Sequence, residues 1–219
     1  MFYKMCNILG MMSPQFIYVK GNNLTEKQLE SLVDLFLTTS YYEFCAMENK
    51  LKLPVREFIK VQCVIPQLSM ITAMVNNDNK KVVGFFCGAK QLVVNQIWSN
   101  ITNYFRDERT LTDKAYADFI NDISNETDFV LNNLAIDSSS QNQGFCTMIF
   151  KQMVIEAKSQ GCTSILLTNW ESHHKSMGIY KHYGFQEVGE FSYTKEIFHE
   201  SLIALRGSIA KLTLGQKPH

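Results

Sequence analysis

Residues 138–150, SSSQNQGFCTMIF, are the first stretch of this chain whose residue types suggest chemistry. A polar turn with one glycine, Gly144, runs straight into an apolar helical pattern whose first turn carries no acidic side chain. An acid there would complement the positive end of the helix dipole, so its absence leaves that end for another anion. The backbone N–H groups of residues 142–147 have no intrahelical partner, and a glycine turn feeding a helix start suits phosphate without any lysine. The nucleotide motifs do not fit. A Walker loop needs two glycines bracketing four residues and then Lys-Ser/Thr, and the dinucleotide G-x-G-x-x-G needs three glycines. What stands here is Gln141-x-x-Gly144-x-Cys146, entered from a strand ending LAID.

The elements that position this turn follow from periodicity and punctuation. FIYVKG (16–21) reads as a strand. Thr25 and Gln28 then form a capping signature, with Leu24 able to staple onto Leu29. The helix they open has Leu29, Leu32, Val33, Phe36 and Leu37 as its apolar stripe. A weaker helix is expected at roughly 46–60, broken or kinked near Pro54. SMITAMV and KVVGFFCGA flank the polar turn NNDNK and read as a hairpin. Residues 93–127 are helical and polar, with Thr112 as a cap and Tyr116, Phe119, Ile120 and Ile123 on one face.

DFVLNNLAI (128–136) returns to strand, and a helix is expected at roughly 144–160 with the stripe Phe145, Met148, Ile149, Met153 and Ala157. Gly161 can end it with a left-handed residue. SILLTNW is a buried strand, Ser172 to Tyr183 a helix stopped by Gly184, and FQEVGEFSYTKEIFHESLIALRG two antiparallel strands. The order β, α, α, β, β, insertion, β, α, β, α, β, β gives an α/β fold, a mixed sheet with helices on both faces.

Composition bounds the function. The 219 residues are 46% hydrophobic and 19% charged, enough for one large domain, taken as 1–219. Lys plus Arg equals Asp plus Glu at 21 each. With no block of like charge, neither a nucleic-acid nor a membrane partner is expected. Uncharged runs stay well short of the roughly 20 residues of a membrane span. The start, MFYKMCNILGMM, reads as a terminal extension rather than a signal. Cysteines stand at 6, 45, 63, 87, 146 and 162, with no C-x-x-C. A cytoplasmic, disulfide-free protein is expected. No metal is expected either, because His173 and His174 are adjacent with no further ligand at suitable spacing.

LNNLAIDSSSQNQGFCTMIFKQMVIEAKSQGCTSILL, followed by IYKHYGF, resembles the acetyl-CoA-binding core of the GNAT superfamily of N-acetyltransferases. That family's turn is Q/R-x-x-G-x-G/A. The resemblance is close over 128–190, and element order extends it over about 16–206. Cys146 stands where the family has glycine or alanine, and His173 where it often has asparagine. Asn169 occupies a usually apolar position.

The resemblance implies a mostly antiparallel central sheet, splayed at the cofactor site, and acetyl-CoA as cosubstrate. Gln141, Asn142, Gln143, Gly144, Phe145, Cys146 and Thr147 would hold the diphosphate. The strand Leu134, Ala135 and Ile136 would offer main-chain contacts to pantetheine, with Asn169 and His173 nearby. Tyr180, four residues before Gly184, matches the family's general acid. Asn132 and Asn133 stand where some relatives carry an acid or histidine, and an amide cannot act as a base. Asp128, Glu171, His173, His174 or a water remain as bases.

The segment 93–127, with Trp98, Tyr104, Phe105, Arg106, Tyr116 and Phe119, lies where an acceptor pocket or lid would form, and Tyr41, Tyr42 and Phe44 come next. The implied activity is N-acetyl transfer by direct attack of a primary amine, on a small-molecule amine or alternatively a peptide or protein acceptor, by a monomer or homodimer. A non-catalytic acyl-CoA-binding sensor is the alternative of another class.

Overall fold

The computed structural model describes residues 15–48, 54–104, 118–170, 174–197 and 201–215. The first strand, β1 (Phe16–Lys20), leads into α1 (Glu26–Glu48). The capping signature forms as the sequence suggests: Thr25 N–H donates to Gln28 Oε1 at 2.9 Å, and Gln28 N–H donates to Thr25 Oγ1 at 3.4 Å. Pro54, with extended backbone, stands as the N-cap of α2 (Val55–Ile59), a helix separate from α1. The chain winds on through a π segment (Lys60–Val64) and a 3-10 segment (Ile65–Met70) into β2 (Ile71–Asn76).

The hairpin partner β3 (Val82–Lys90) is followed by α3 (Gln91–Tyr104), a helical stretch α4 (118–123) and β4 (Asp128–Ile136). Then come α5 (Phe145–Ser159), β5 (Ser164–Trp170) and α6 (His174–His182). The long hairpin β6 (Gln186–Ile197) and β7 (Ser201–Thr213) closes the fold, running seven residues past 206.

The seven strands lie in the order β1-β2-β3-β4-β5-β7-β6. Every pairing is antiparallel except β4 with β5. The sheet buries both faces, so its central strands alternate between two cores. Phe85, Val130 and Ala135 belong to one, closed by Leu32, Val33 and Phe36 of α1, Ile59, Val94 and Ile120. Phe86, Phe129 and Leu131 belong to the other, closed by Ile149, Phe150 and Met153 of α5 and Met177 of α6. Within the α5 stripe the structure corrects one position: Met148 is 38% exposed, and Phe150 is buried in its stead.

In the segment 93–127, Val94 and Ile120 are core residues, and the Phe119 ring meets Phe191 of β6 at 5.2 Å. The described part of this segment packs the fold. The side chains of Trp98, Tyr104, Tyr41, Tyr42 and Phe44, and residues Phe105, Arg106 and Tyr116, lie outside the described residues.

Two irregularities at β4 position the candidate site. Against β3 its register passes from Cys87↔Asn133 to Gly88↔Leu131, which leaves Asn132 as the extra residue of a bulge. Against β5 it pairs from Asp128↔Ser164 to Leu131↔Leu167 and no further. The last five residues of β4, 132–136, therefore part from β5, which stays with β7 as far as Trp170↔Gly207.

Gly88 makes the bulge possible, since a Cβ there would lie 2.6 Å from the Phe129 ring and 2.7 Å from the Val130 carbonyl oxygen. Overpacking of this kind costs about 1–3 kcal/mol. Gly88→Ala is expected to lower the unfolding free energy by about 2 kcal/mol in urea titration. An unchanged midpoint would show that the bulge yields freely.

Candidate active site

The turn before α5 leaves the start of the helix uncapped by any side chain. Gly144 caps the helix at φ 81°, ψ 0°, with no side-chain cap and no acid in the first turn. Asn142 also takes a positive φ, 61°. Met148 N–H donates to Gly144 C=O at 3.3 Å, so the N–H groups of Phe145, Cys146 and Thr147 precede the first intrahelical bond. A Cβ at Gly144 would have nothing within 4 Å, which leaves open space in front of the helix.

The turn holds itself together by other contacts. Gln143 Nε2 donates to Ser139 C=O at 3.0 Å, and Ser140 N–H to Asp137 C=O at 2.8 Å. Asp137 is the nearest acid before the turn, and its carboxylate is taken up by Lys81 at 2.5 Å and by the Ser139 hydroxyl at 2.8 Å. The Lys81 ammonium holds the Asp137 pKa below the usual carboxylate range. Gln141, Asn142, Gln143 and Thr147 are exposed, Cys146 is half-buried, and Phe145 is buried against Phe16, ring to ring at 4.7 Å.

Beside this turn β4 has lost its β5 partner over 132–136. A strand between two neighbours directs alternate peptide groups to each side, so on the side left by β5 these groups have no strand partner among the described residues. Leu134 and Ile136 pair with Phe86 and Gly84 on the β3 side and are half-buried, with buried Ala135 between them. At the apex sits Asn132, whose Nδ2 and Oδ1 are both shielded and without a hydrogen-bond partner. Leaving such a group unmet costs about 1–3 kcal/mol. The unpaired β4 edge has the main-chain groups that suit a pantetheine arm, and the α5 start those that suit a diphosphate.

Residues from α6 close the other side. Tyr180 packs against Phe150 at 6.0 Å and Phe185 at 5.6 Å. Burial pushes its phenol up to about 12, with the neighbouring Cys146 adding to the effect. The Cys146 thiol is also raised by burial, while a hydrogen bond from Tyr183 draws it partly back. A thiol held up in this way is a poor nucleophile at neutral pH.

The Tyr183 hydroxyl lies 2.8 Å from Thr147 Oγ1, and its ring stacks on Phe150 at 4.1 Å. Cys146, Thr147, Tyr180 and Tyr183 thus form one cluster joining the α5 start to α6. Tyr183 and Phe150 were not singled out from sequence. The signal for Tyr183 was its spacing of three from Tyr180, which puts both on one side of the α6 end.

Other candidates fall elsewhere. Asp128, expected as a solvated residue at the start of the strand, is wholly buried at the closed end of β4, held by Lys211 at 2.7 Å, by Ser164 and by Asn125 N–H at 2.9 Å. It is committed to structure and removed as a base. Asn133 lies opposite Cys87, and Asn169 is buried on β5 opposite Ser208. Glu171, His173 and the His174 side chain lie outside the described residues. Among the described residues no cluster of His, Cys, Asp or Glu suits a metal, and no helix is long and apolar enough to cross a membrane.

A parted β4–β5 pair leading to an acid-free, glycine-capped helix start is the arrangement the resemblance implied, and a sequence model of the acetyltransferase (GNAT) family matches residues 38–185. The chain belongs to the GNAT family. Solved structures share the fold. SsHAT superposes with a TM-score of 0.62 at 9% identity, covering 93% of this chain and 100% of that one. An N-acetyltransferase from Staphylococcus aureus Mu50 gives 0.53 at 14%, covering 91% and 98%. The ribosomal-protein-S18-alanine N-acetyltransferase from Escherichia coli gives 0.50 at 12%, covering 92% and 96%. At these identities the likeness is one of fold. No curated protein matches the chain in sequence.

The cluster yields a test by pH. The hydrogen bond from Tyr183 lowers the Cys146 thiol pKa, so Tyr183→Phe should raise it. At any pH below that value the thiolate fraction falls. Alkylation of Cys146 by iodoacetamide, located by mass spectrometry, should slow and its pH profile move to higher pH. A profile that stays in place would show that Tyr183 does not act on the thiol.

Proposed function

We propose that this GNAT protein is an acetyl-CoA-dependent N-acetyltransferase whose primary-amine acceptor attacks the thioester directly. The observation that carries it is the opening of β4 from β5 at Leu131, which leads to the acid-free start of α5. Acetyl-CoA supplies an activated acetyl group, and the protein's part is to hold it and manage charge. Backbone N–H groups of 142–147 and the helix dipole take the diphosphate. Main-chain groups of Leu134 and Ile136 take the pantetheine arm, and a fixed N–H there is worth about 3–4 kcal/mol to a developing oxyanion.

The amine nitrogen forms the new C–N bond as the C–S bond breaks. The electron pair goes to sulfur, the hydroxyl of Tyr180 donates toward it, and the amine's spare proton passes to water or a base. With its pKa at about 12, Tyr180 stays protonated throughout the physiological range. The raised thiol of Cys146 speaks against an acyl-cysteine route. The acceptor is a small-molecule amine in the first reading. A peptide or protein amine is the second, favoured by the fold shared with the S18-alanine enzyme. Both act where the cosubstrate's acetyl end meets β4. The protein works as a monomer or homodimer, in the cytoplasm.

Two variants test this. Gly144→Glu puts a negative charge and bulk into the open space before the helix and should abolish acetyl-CoA binding in calorimetry. Gly144→Ala, strained at φ 81° but uncharged, should weaken it far less. Equal affinity in wild type and Gly144→Glu would remove the turn from the site.

Tyr180→Phe should lower kcat by about 10²-fold, the lower end for a general acid, with acetyl-CoA affinity kept. A rate within about threefold of wild type would assign the proton to water.

A further inference from the structure

We propose that Asn132 is the acceptor-recognition residue, and that the acceptor carries a carbonyl next to its reacting amine, as an amino-acid amide or a peptide N-terminus does. This rests on the transferase function proposed above and names its acceptor class. Asn132 is the extra residue of the β4 bulge and the first past the last β5 pair. It stands at the point where main-chain groups become free for a thioester.

Its carboxamide is the one side chain among the described residues with both polar atoms shielded and unpartnered. Other buried polar side chains among the described residues do find partners. Gln67 donates to Cys63 C=O at 2.8 Å and accepts from Cys87 Sγ at 3.4 Å. Gln91 donates to Asn121 and to Ser124 C=O. A leucine at 132 would avoid the penalty altogether, so the amide is retained for something that meets it.

The residue type narrows what that is. A carboxamide offers an acceptor and a donor and takes no proton. Its uncharged oxygen can receive the amine N–H without stabilising the ammonium form, as a carboxylate would. Its Nδ2 then needs an acceptor close to the amine. A simple alkylamine leaves it unmet, whereas an α-amino carbonyl meets both atoms at once.

Geometry separates this ligand from the pantetheine arm. Side chains stand roughly perpendicular to a sheet, while a ligand filling the β5 gap lies in the sheet plane and takes main-chain groups. Asn132 as a whole is half-buried, so its covered amide reaches the ligand by turning about its side-chain torsions, the last of which is broad.

The test uses the whole protein with alanine amide and isopropylamine, scoring CoA thiol release per unprotonated amine, with acetyl-CoA affinity measured by calorimetry. Wild type should prefer the amide at least about tenfold. Asn132→Leu, which fills the volume without polar atoms, should lose that preference at unchanged acetyl-CoA affinity. Asn132→Asp keeps size and oxygen but removes the donor, and should lose it too, so a Leu variant that fails to fold does not end the test.

Preference retained in either variant overturns the proposal and leaves the amide to a buried water. A parallel loss of acetyl-CoA affinity overturns it in favour of the cosubstrate. Wild type that binds acetyl-CoA but shows no preference, or releases CoA with neither amine, also overturns it. Failure to bind acetyl-CoA at all would instead sink the transferase function.

Discussion

The parting of β4 from β5 is the constraint around which the rest of the molecule is arranged. Up to Leu131 the strand is paired on both sides, and beyond it one edge is given up. An open edge inside a sheet is costly, and the fold confines it to one end. At the other end Asp128 of β4 is tied to Ser164 of β5 and to Lys211 of β7. A buried carboxylate persists only when its lone pairs are taken up, and here an ammonium, a hydroxyl and a backbone N–H do so. The wedge therefore has a clamped end and an open end. The bulge at Asn132 supplies the local twist that lets one become the other.

Helix α5 depends on the same wedge. Its start faces the open end, and its position is fixed from its far half. Glu156 sits in the last turn, where a negative charge opposes the helix dipole. It is nevertheless buried, held by Lys20 of β1 and by the Thr72 hydroxyl of β2 at 2.9 Å. The Phe16–Phe145 contact anchors the start from the same edge of the sheet. The helix thus keeps its aim without any side-chain cap, and the N–H groups of its first turn stay available. Asp137, one step before the turn, is itself paired with Lys81.

Local signals made the elements and the turn legible in the sequence. The Thr25–Gln28 capping box, the left-handed glycines at 144, 161 and 184 and the stripes of α1 and α5 are short-range patterns, and they appear in the structure nearly where the residues place them. Long-range placements were not legible. Asp128 looked like a strand-end surface acid because nothing nearby in sequence shows that Lys211 comes to meet it. Met148 and Phe150 exchanged roles because α5 packs against Tyr180, Tyr183 and Phe185, whose position depends on α6. The resemblance named Cys146, Thr147 and Tyr180 as separate positions, and Tyr183, which it did not name, joins them into one cluster.

The environment of Tyr180 also limits how the phenol can act. Burial keeps it neutral, but the same burial makes it a weaker acid, with a pKa at about 12. An ordinary thiol ionises near 8.5, so complete transfer from such a phenol to a free thiolate is uphill by about 5 kcal/mol. In the proposed transfer the proton would therefore not be given up early, and the hydroxyl would act first as a hydrogen-bond donor whose value grows as charge gathers on sulfur. A half-buried thiol at 146 is small and uncharged, so it lets Tyr180 lie close to the helix start without drawing its proton away.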